Sequence, residues 1–324
     1  MQTQKHWITF SLILALTLII SACASAAPPS ANPGSTPSPA PTSAPAARTF
    51  TDGLGREVTL KGIPQKIVSL APSNTEILFA IGAGSQVVGR DDFSDYPEQA
   101  AQVADIGGGF GKLDEETIVS LQPDLVLAAD ITPAEQVKAL EDLGLAVYQL
   151  PNPTTLDGMY TNLQTVAELT GHQAEAEQLI GKLKARVKTV EDKIAAVQDK
   201  PSVFYELDST DPNAPYTSGP GTFIDTLIDM SGGTNLGSIL NSAWAQISLE
   251  ELVTKDPNII ILGDYTWGGV TPEDVAKRAG WETLTAVKDG KVYTFDDNLV
   301  SRPGPRMVDG LEAMAKLLHP ELFK

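Results

Sequence analysis

Apolar and polar positions change period several times along the chain, and each change marks a different kind of segment. Trp7 to Ile20 is a mainly apolar run, preceded by Lys5 and His6 and followed by Ser21, Ala22 and Cys23. A charged start, an apolar centre and small residues before a cleavage point make an export signal, so residues 1–22 are expected to be removed. From Arg48 the pattern becomes that of folded chain. Phe50 to Leu60 reads as two short strands around a glycine-containing turn. Lys66-Ile67-Val68-Ser69-Leu70 is a buried strand, and in Pro72-Ser73-Asn74-Thr75-Glu76 the spacing of Ser73 and Glu76 is that of a capping box opening a helix that Gly82 and Gly84 end. Strands and helices then alternate: Val87–Gly89, a helix over 113–121, Asp124–Ala128, a helix over 133–143, and Ala146–Leu150. Alternation of this kind predicts a parallel sheet covered on both faces.

Between Leu156 and Val197 the period is 3.6, interrupted only at Thr170-Gly171-His172, and Leu179, Leu183, Val187, Val190, Ile194 and Val197 form one apolar stripe. Lys200-Pro201 stops this helix, and strand–helix alternation resumes at Ser202–Leu207, Thr222–Met230, Ile259–Leu262 and Val292–Phe295. A long helical segment therefore separates two α/β halves. The halves contain a repeat: residues 114–127 align without a gap on residues 248–261, each a capped helix, a proline and a buried strand. Asp114 and Ser248 are the N-caps, and two positions after each stands a carboxylate, Glu116 and Glu250. A carboxylate at a helix start is favoured by the backbone dipole on its own account. Its recurrence at the same place in both halves also suits a partner that docks across both at once.

Residues 24–47 contain only Ala, Ser, Thr, Pro, Gly and Asn, with seven prolines. Such a stretch cannot bury a core, and as polyproline II at ~3.1 Å per residue it would extend to on the order of 70 Å. It reads as a tether. The single cysteine excludes an intramolecular disulfide and a multi-cysteine metal site. Ile20-Ser21-Ala22-Cys23 resembles the bacterial lipobox, which implies that Cys23 is acylated and holds the protein to the outer side of the cell membrane. Lysine plus arginine number 23 against 41 aspartates and glutamates, a net charge of −18. That disfavours a nucleic-acid partner, which requires a cationic face. Only His6, His172 and His319 are available as imidazole ligands, and His6 lies in the signal, so no protein-held metal is expected. No Gly-x-Ser-x-Gly elbow, Walker loop or Gly-x-Gly-x-x-Gly fingerprint follows a strand, so no catalytic activity and no resident cofactor are expected.

Six stretches in order carry a family resemblance: Ile67 to Glu76, Phe93-Ser94-Asp95-Tyr96-Pro97, Leu125 to Ala128, Pro215-Tyr216-Thr217-Ser218-Gly219, Trp244 to Glu250, and Ser301-Arg302-Pro303-Gly304-Pro305-Arg306. Over residues 48–324 the chain resembles the class III substrate-binding proteins of ABC importers, and in these stretches the vitamin B12-binding members most. The resemblance implies an α/β fold of two Rossmann-like lobes joined by a single long α-helix, with lobes at 48–153 and 200–324 and the link at 154–199. It implies a monomer that delivers a small molecule to a permease and its ATPase, with Glu116 and Glu250 meeting permease arginines. A corrinoid between the lobes would stack on Phe93, Phe110, Tyr216 and Trp244. Other members carry haem, for which Tyr96, Tyr216 or Tyr265 would be an axial ligand, or ferric siderophores, which Arg90, Arg302 and Arg306 would meet.

Overall fold

A computed structural model of the chain describes residues 46–109 and 111–324. The signal segment, Cys23 and residues 24–45 of the tether lie outside the described residues, as does Phe110. The folded body opens with β1 (Arg48–Thr51) and β2 (Glu57–Leu60), an antiparallel pair whose Val58 and Leu60 are buried.

The N-terminal half then runs β3 (Ile67–Ser69), α1 (Pro72–Ala80), β4 (Val87–Arg90), β5 (Ala104–Asp105), α2 (Glu115–Leu121), β6 (Leu125–Ala129), α3 (Ala134–Asp142) and β7 (Val147–Leu150). Its five strands are all parallel, in the order β5-β4-β3-β6-β7. The capping-box reading of the first helix is corrected. Helix α1 begins directly at Pro72, whose fixed φ suits a first helical position, and no side chain caps it. Ser73 and Glu76 are both buried, and Glu76 is used elsewhere.

The linking segment is two helices, α4 (Leu156–Thr170) and α5 (Gln173–Ile194), where the periodicity predicted one. Gly171 adopts φ 84°, and its N–H and that of His172 both bond the carbonyl of Ala167, which ends α4. The apolar stripe of α5 is as the sequence predicts, with Leu183, Val187 and Val190 buried.

In the C-terminal half come β8 (Ser202–Asp208), β9 (Tyr216–Ser218), α6 (Phe223–Met230), β10 (Thr234–Asn235), β11 (Trp244–Gln246), α7 (Leu249–Lys255) and β12 (Ile259–Leu262). They are followed by α8 (Tyr265–Gly268), α9 (Pro272–Val275), α10 (Thr285–Lys288), β13 (Val292–Thr294), α11 (Asn298–Ser301) and α12 (Met307–Leu318). This sheet is mixed. β12 lies parallel to β8 and β13, whereas β9 and β11 add an antiparallel edge in the order β11-β9-β8-β12-β13.

Period-two alternation within the buried strands explains how the halves are held. Ile67, Leu125, Leu127 and Tyr148 of the first sheet and Val203, Tyr205, Ile259 and Ile261 of the second belong to one core, which also takes in Ile77, Leu163, Leu183, Ile224 and Met314 from α1, α4, α5, α6 and α12. The intervening residues face outward into a separate core for each lobe: Val68, Val126 and Ala128 in one, Phe204, Ile260 and Leu262 in the other. Burial at ~25 cal/mol per Å² of apolar surface therefore acts across the link as well as within each lobe.

The internal repeat holds at the level of single residues. Asp114 and Ser248 cap α2 and α7 by accepting from the N–H groups of Thr117 and Glu251. Both helices end on a left-handed non-glycine residue at the same repeat position, Gln122 (φ 53°) and Asp256 (φ 44°), a conformation that L-residues adopt uncommonly. Two residues on, Asp124 accepts from the N–H of Lys66, and Asn258 from that of Ser202, fastening each half's central strand to its neighbour.

Candidate functional site

The parallel strands of both sheets end at one cavity of about 600 Å³. Ala71 to Asn74 follow β3, Asp130 and Ile131 follow β6, and Pro151 to Pro153 follow β7. Opposite them stand Phe223, Trp244, Trp267 and Ser301 to Pro303 from the C-terminal lobe. Crevices beyond the carboxyl ends of strands are where open α/β sheets bind ligands, because chain leaves the sheet there in divergent directions. The volume lies within the ~300–1,000 Å³ usual for small-molecule sites.

Four aromatic rings dominate the walls. Phe93 and Trp267 meet edge to face across the cleft, with centroids 5.9 Å apart at 73°. Phe223 and Trp244 form a second pair at 5.6 Å. Trp267 is 58% and Trp244 43% exposed, and Ile131 is 85% exposed at the same cavity. Large apolar groups left open to water inside a concavity are available to a ligand in a way that core rings are not. Phe93 is held from beneath. Its N–H donates to the buried Asp91 carboxylate, which also accepts from Ser94, and Ser94 continues through Thr75 to Ser69. Burial raises the Asp91 carboxyl above the ordinary range against the lowering effect of the Ser94 bond. The chain passes this loop closely at Gly109, where a Cβ would stand 2.4 Å from both Asp92 Oδ1 and the Phe93 ring, so a larger residue there would have to displace those two side chains.

Of the residues singled out from sequence, Phe93, Trp244 and Arg302 line the cavity. Tyr216 does not. It sits on β9, between β11 and β8, opposite Gln246, 43% exposed but outside the lining. Arg306 is also outside the lining, because its guanidinium is committed to Glu76 of the other lobe. Phe110 lies outside the described residues. Sequence reading missed Trp267, Phe223 and Ile131. The signal that points to Trp267 and Ile131 is position, since each stands within a few residues of the carboxyl end of a buried strand.

Charge in the cavity nearly cancels. Among the described residues its lining has one cation, Arg302, and one carboxylate, Asp130. Arg302 is 5% exposed, and its Nη1 donates to Asp95 and lies 3.7 Å from Glu76, so its charge is already met. Beneath the C-terminal wall, Glu206 accepts two bonds from Arg278 and is fully buried. Burial outweighs Arg278 there and pushes the Glu206 carboxyl up to about 7. Among the described residues, no group of three or more His, Cys, Asp or Glu side chains is placed to hold a metal ion, and no helix is long and apolar enough to cross a membrane.

Away from the cleft, Glu116 and Glu250 stand exposed in the first turns of α2 and α7, at matching points of the two lobes.

Comparison with known proteins bears on this arrangement. Residues 67–299 match the family model described as periplasmic binding protein. The chain is 34% identical over 281 residues to the uncharacterized ABC transporter substrate-binding lipoprotein YvrC of Bacillus subtilis, covering 85% of this chain and 87% of that one. It is 30% identical over 282 residues to a cobalamin-binding protein of Halobacterium salinarum, covering 84% of this chain and 74% of the relative. Among solved structures it is similar to the periplasmic vitamin B12-binding protein BtuF of Vibrio cholerae, with a TM-score of 0.69 at 25% identity over 81% of this chain and 98% of that one. With the family model matched over most of its folded body, and with sheets, link and cleft laid out as above, the chain belongs to the periplasmic binding protein family.

Proposed function

We propose that this chain is the substrate-binding component of an ABC importer and that its cleft takes a cobalamin-like corrinoid. The observation that carries the reading is the cleft itself: four aromatic rings from two lobes around a space in which the one arginine among the described residues is already neutralised. A large, flat, amide-rich macrocycle of low net charge fits such walls, because ring faces stack on it at ~0.5–1.5 kcal/mol per pair beyond area burial. An anionic ferric siderophore would need cations that this lining lacks. The cobalamin-binding relative supports the same choice.

In this reading residues 48–153 and 200–324 act as the two lobes and 154–199 as the link. Cys23 is the lipidated anchor on the outer side of the membrane, residues 24–47 are the tether, and the monomer presents Glu116 and Glu250 to a permease that works with an ATPase. Titrating the full chain with cyanocobalamin, haem and a ferric siderophore tests it. Saturable one-to-one binding of cyanocobalamin alone is expected. Binding of haem or the siderophore without cobalamin would overturn the ligand assignment.

A further inference from the structure

Directly behind the cavity wall the lobes are joined by a charged seam that ligand stacking does not call for. Glu76, on α1 of the N-terminal lobe, is 2% exposed. Its two oxygens accept from Nε and Nη2 of Arg306, at 2.9 and 2.5 Å, a two-pronged bond spanning 230 positions of sequence. The same carboxylate lies 3.7 Å from Nη1 of Arg302, which donates to Asp95, also from the N-terminal lobe. The Arg306 guanidinium stacks 4.1 Å from the ring of Tyr96, and that of Arg302 lies 5.8 Å from the ring of Trp267. So one loop of the C-terminal lobe, 301–306, is fastened to α1 and to the 93–96 loop of the other lobe, and both sides of this seam supply cavity lining: Ser73, Asn74 and Phe93 from one, Ser301, Arg302 and Pro303 from the other.

We propose that Glu76 is a positioning residue that sets the separation of the lobes, and thereby the width of the cleft, by holding Arg306 and Arg302 across the seam. The inference rests on the cavity being the ligand site, but the mechanical part stands without any ligand. A two-pronged carboxylate–guanidinium bond fixes direction as well as distance, which a lone ammonium does not. Removing one partner of a buried pair leaves the other charge uncompensated. Opening the seam lets water reach both arginines and relieves that cost, so the disrupted protein relaxes by parting the lobes. The seam is also poised for such a move, because Nη2 of Arg302 is buried with no hydrogen-bond partner among the described residues in the joined arrangement, a cost that opening removes.

The test uses the full chain with Cys23→Ser and spin labels at Lys138→Cys on α3 and Lys277→Cys after α9. Both are solvent-facing, with side chains 71% and 76% exposed. In the ligand-free protein a single narrow distance distribution is expected. Glu76→Gln and Arg306→Ala should shift or broaden it toward longer distances, Glu76→Asp should do so less, and Arg186→Gln, which breaks the α5–α12 pair with Asp309 and Glu312 instead, should leave it unchanged. If the joined form falls to about one tenth of the population, affinity for cyanocobalamin falls about tenfold. Unchanged distributions in Glu76→Gln and Arg306→Ala, or equal broadening by Arg186→Gln, would overturn the proposal. Should Glu76→Gln fail to fold, Arg306→Lys decides: it keeps the charge but not the fork, and broadening supports the proposal while a wild-type distribution overturns it. If the variants show these distance effects but the wild-type protein binds no cobalamin, the ligand reading is overturned and the positioning role stays intact.

Discussion

Replacing Trp267 by alanine separates a ligand wall from a packing role. Trp267 is 58% exposed, so of the ~250 Å² that a large aromatic side chain offers, about 145 Å² remains open to a ligand. A flat ligand lies on one face and covers about half of that, roughly 70 Å², worth about 1.8 kcal/mol at ~25 cal/mol per Å². Ring–ring attraction adds ~0.5–1.5 kcal/mol, for a total of about 2.3–3.3 kcal/mol, or roughly 50- to 250-fold in affinity. The fold loses the edge-to-face packing with Phe93, the distant guanidinium of Arg302 and the side-chain hydrogen bond to the buried Asp297, roughly 2–4 kcal/mol in all. Calorimetric titration with cyanocobalamin and thermal melting on the same preparation read both quantities. Tyr216→Ala is the comparison, since Tyr216 lies outside the cavity lining, and its affinity should stay within about twofold of wild type. If Trp267→Ala binds as tightly as wild type while remaining folded, or if Tyr216→Ala costs as much as Trp267→Ala, the assignment of the walls is refuted.

Reversing Glu116 and Glu250 to arginine together should nearly abolish uptake in cells while purified protein keeps its ligand affinity, because both residues are exposed helix-start positions outside the cavity; breaking a close charge pair at a protein interface costs ~2–5 kcal/mol. Cys23→Ser should move the protein from the membrane fraction to the soluble one with an unchanged melting temperature, as fractionation and thermal melting of the released protein would show. Stability should fall as pH rises between about 4.5 and 7. With its carboxyl at about 7, folded Glu206 holds a proton that the unfolded chain releases, a difference worth about 3 kcal/mol once both forms are ionised. The raised carboxyls of Glu76, Asp91, Asp264 and Asp297 act in the same direction. Denaturant melts at pH 5 and pH 8 check this, and Glu206→Gln should reduce the difference; greater stability at pH 8 than at pH 5 would contradict it.

Much of the architecture is written locally. Short continuous apolar runs such as Leu125–Ala128 and Ile259–Leu262, and the period-3.6 stripe of α5, mark strand and helix, because run length and the geometry of each element decide which side chains share a face. Asp114 and Ser248 act as caps because the bond each makes spans three residues. Sequence also brought out the repeat, and with it the matched positions of Glu116 and Glu250. Tertiary structure decided what depends on distant chain. Ser73 and Glu76 have capping spacing, yet Glu76 bonds Arg306, 230 positions away, because a buried carboxylate is satisfied by whichever cation the fold delivers. The sequence marks an interruption at Thr170-Gly171-His172, but only the left-handed backbone angle of Gly171 makes it the end of one helix rather than a flaw within a single one. Trp267, Phe223 and Ile131 became cavity walls, and Tyr216 did not, because a cleft is made where loops from two sheets converge, and convergence is a property of the packed sheets that no local pattern of residues encodes.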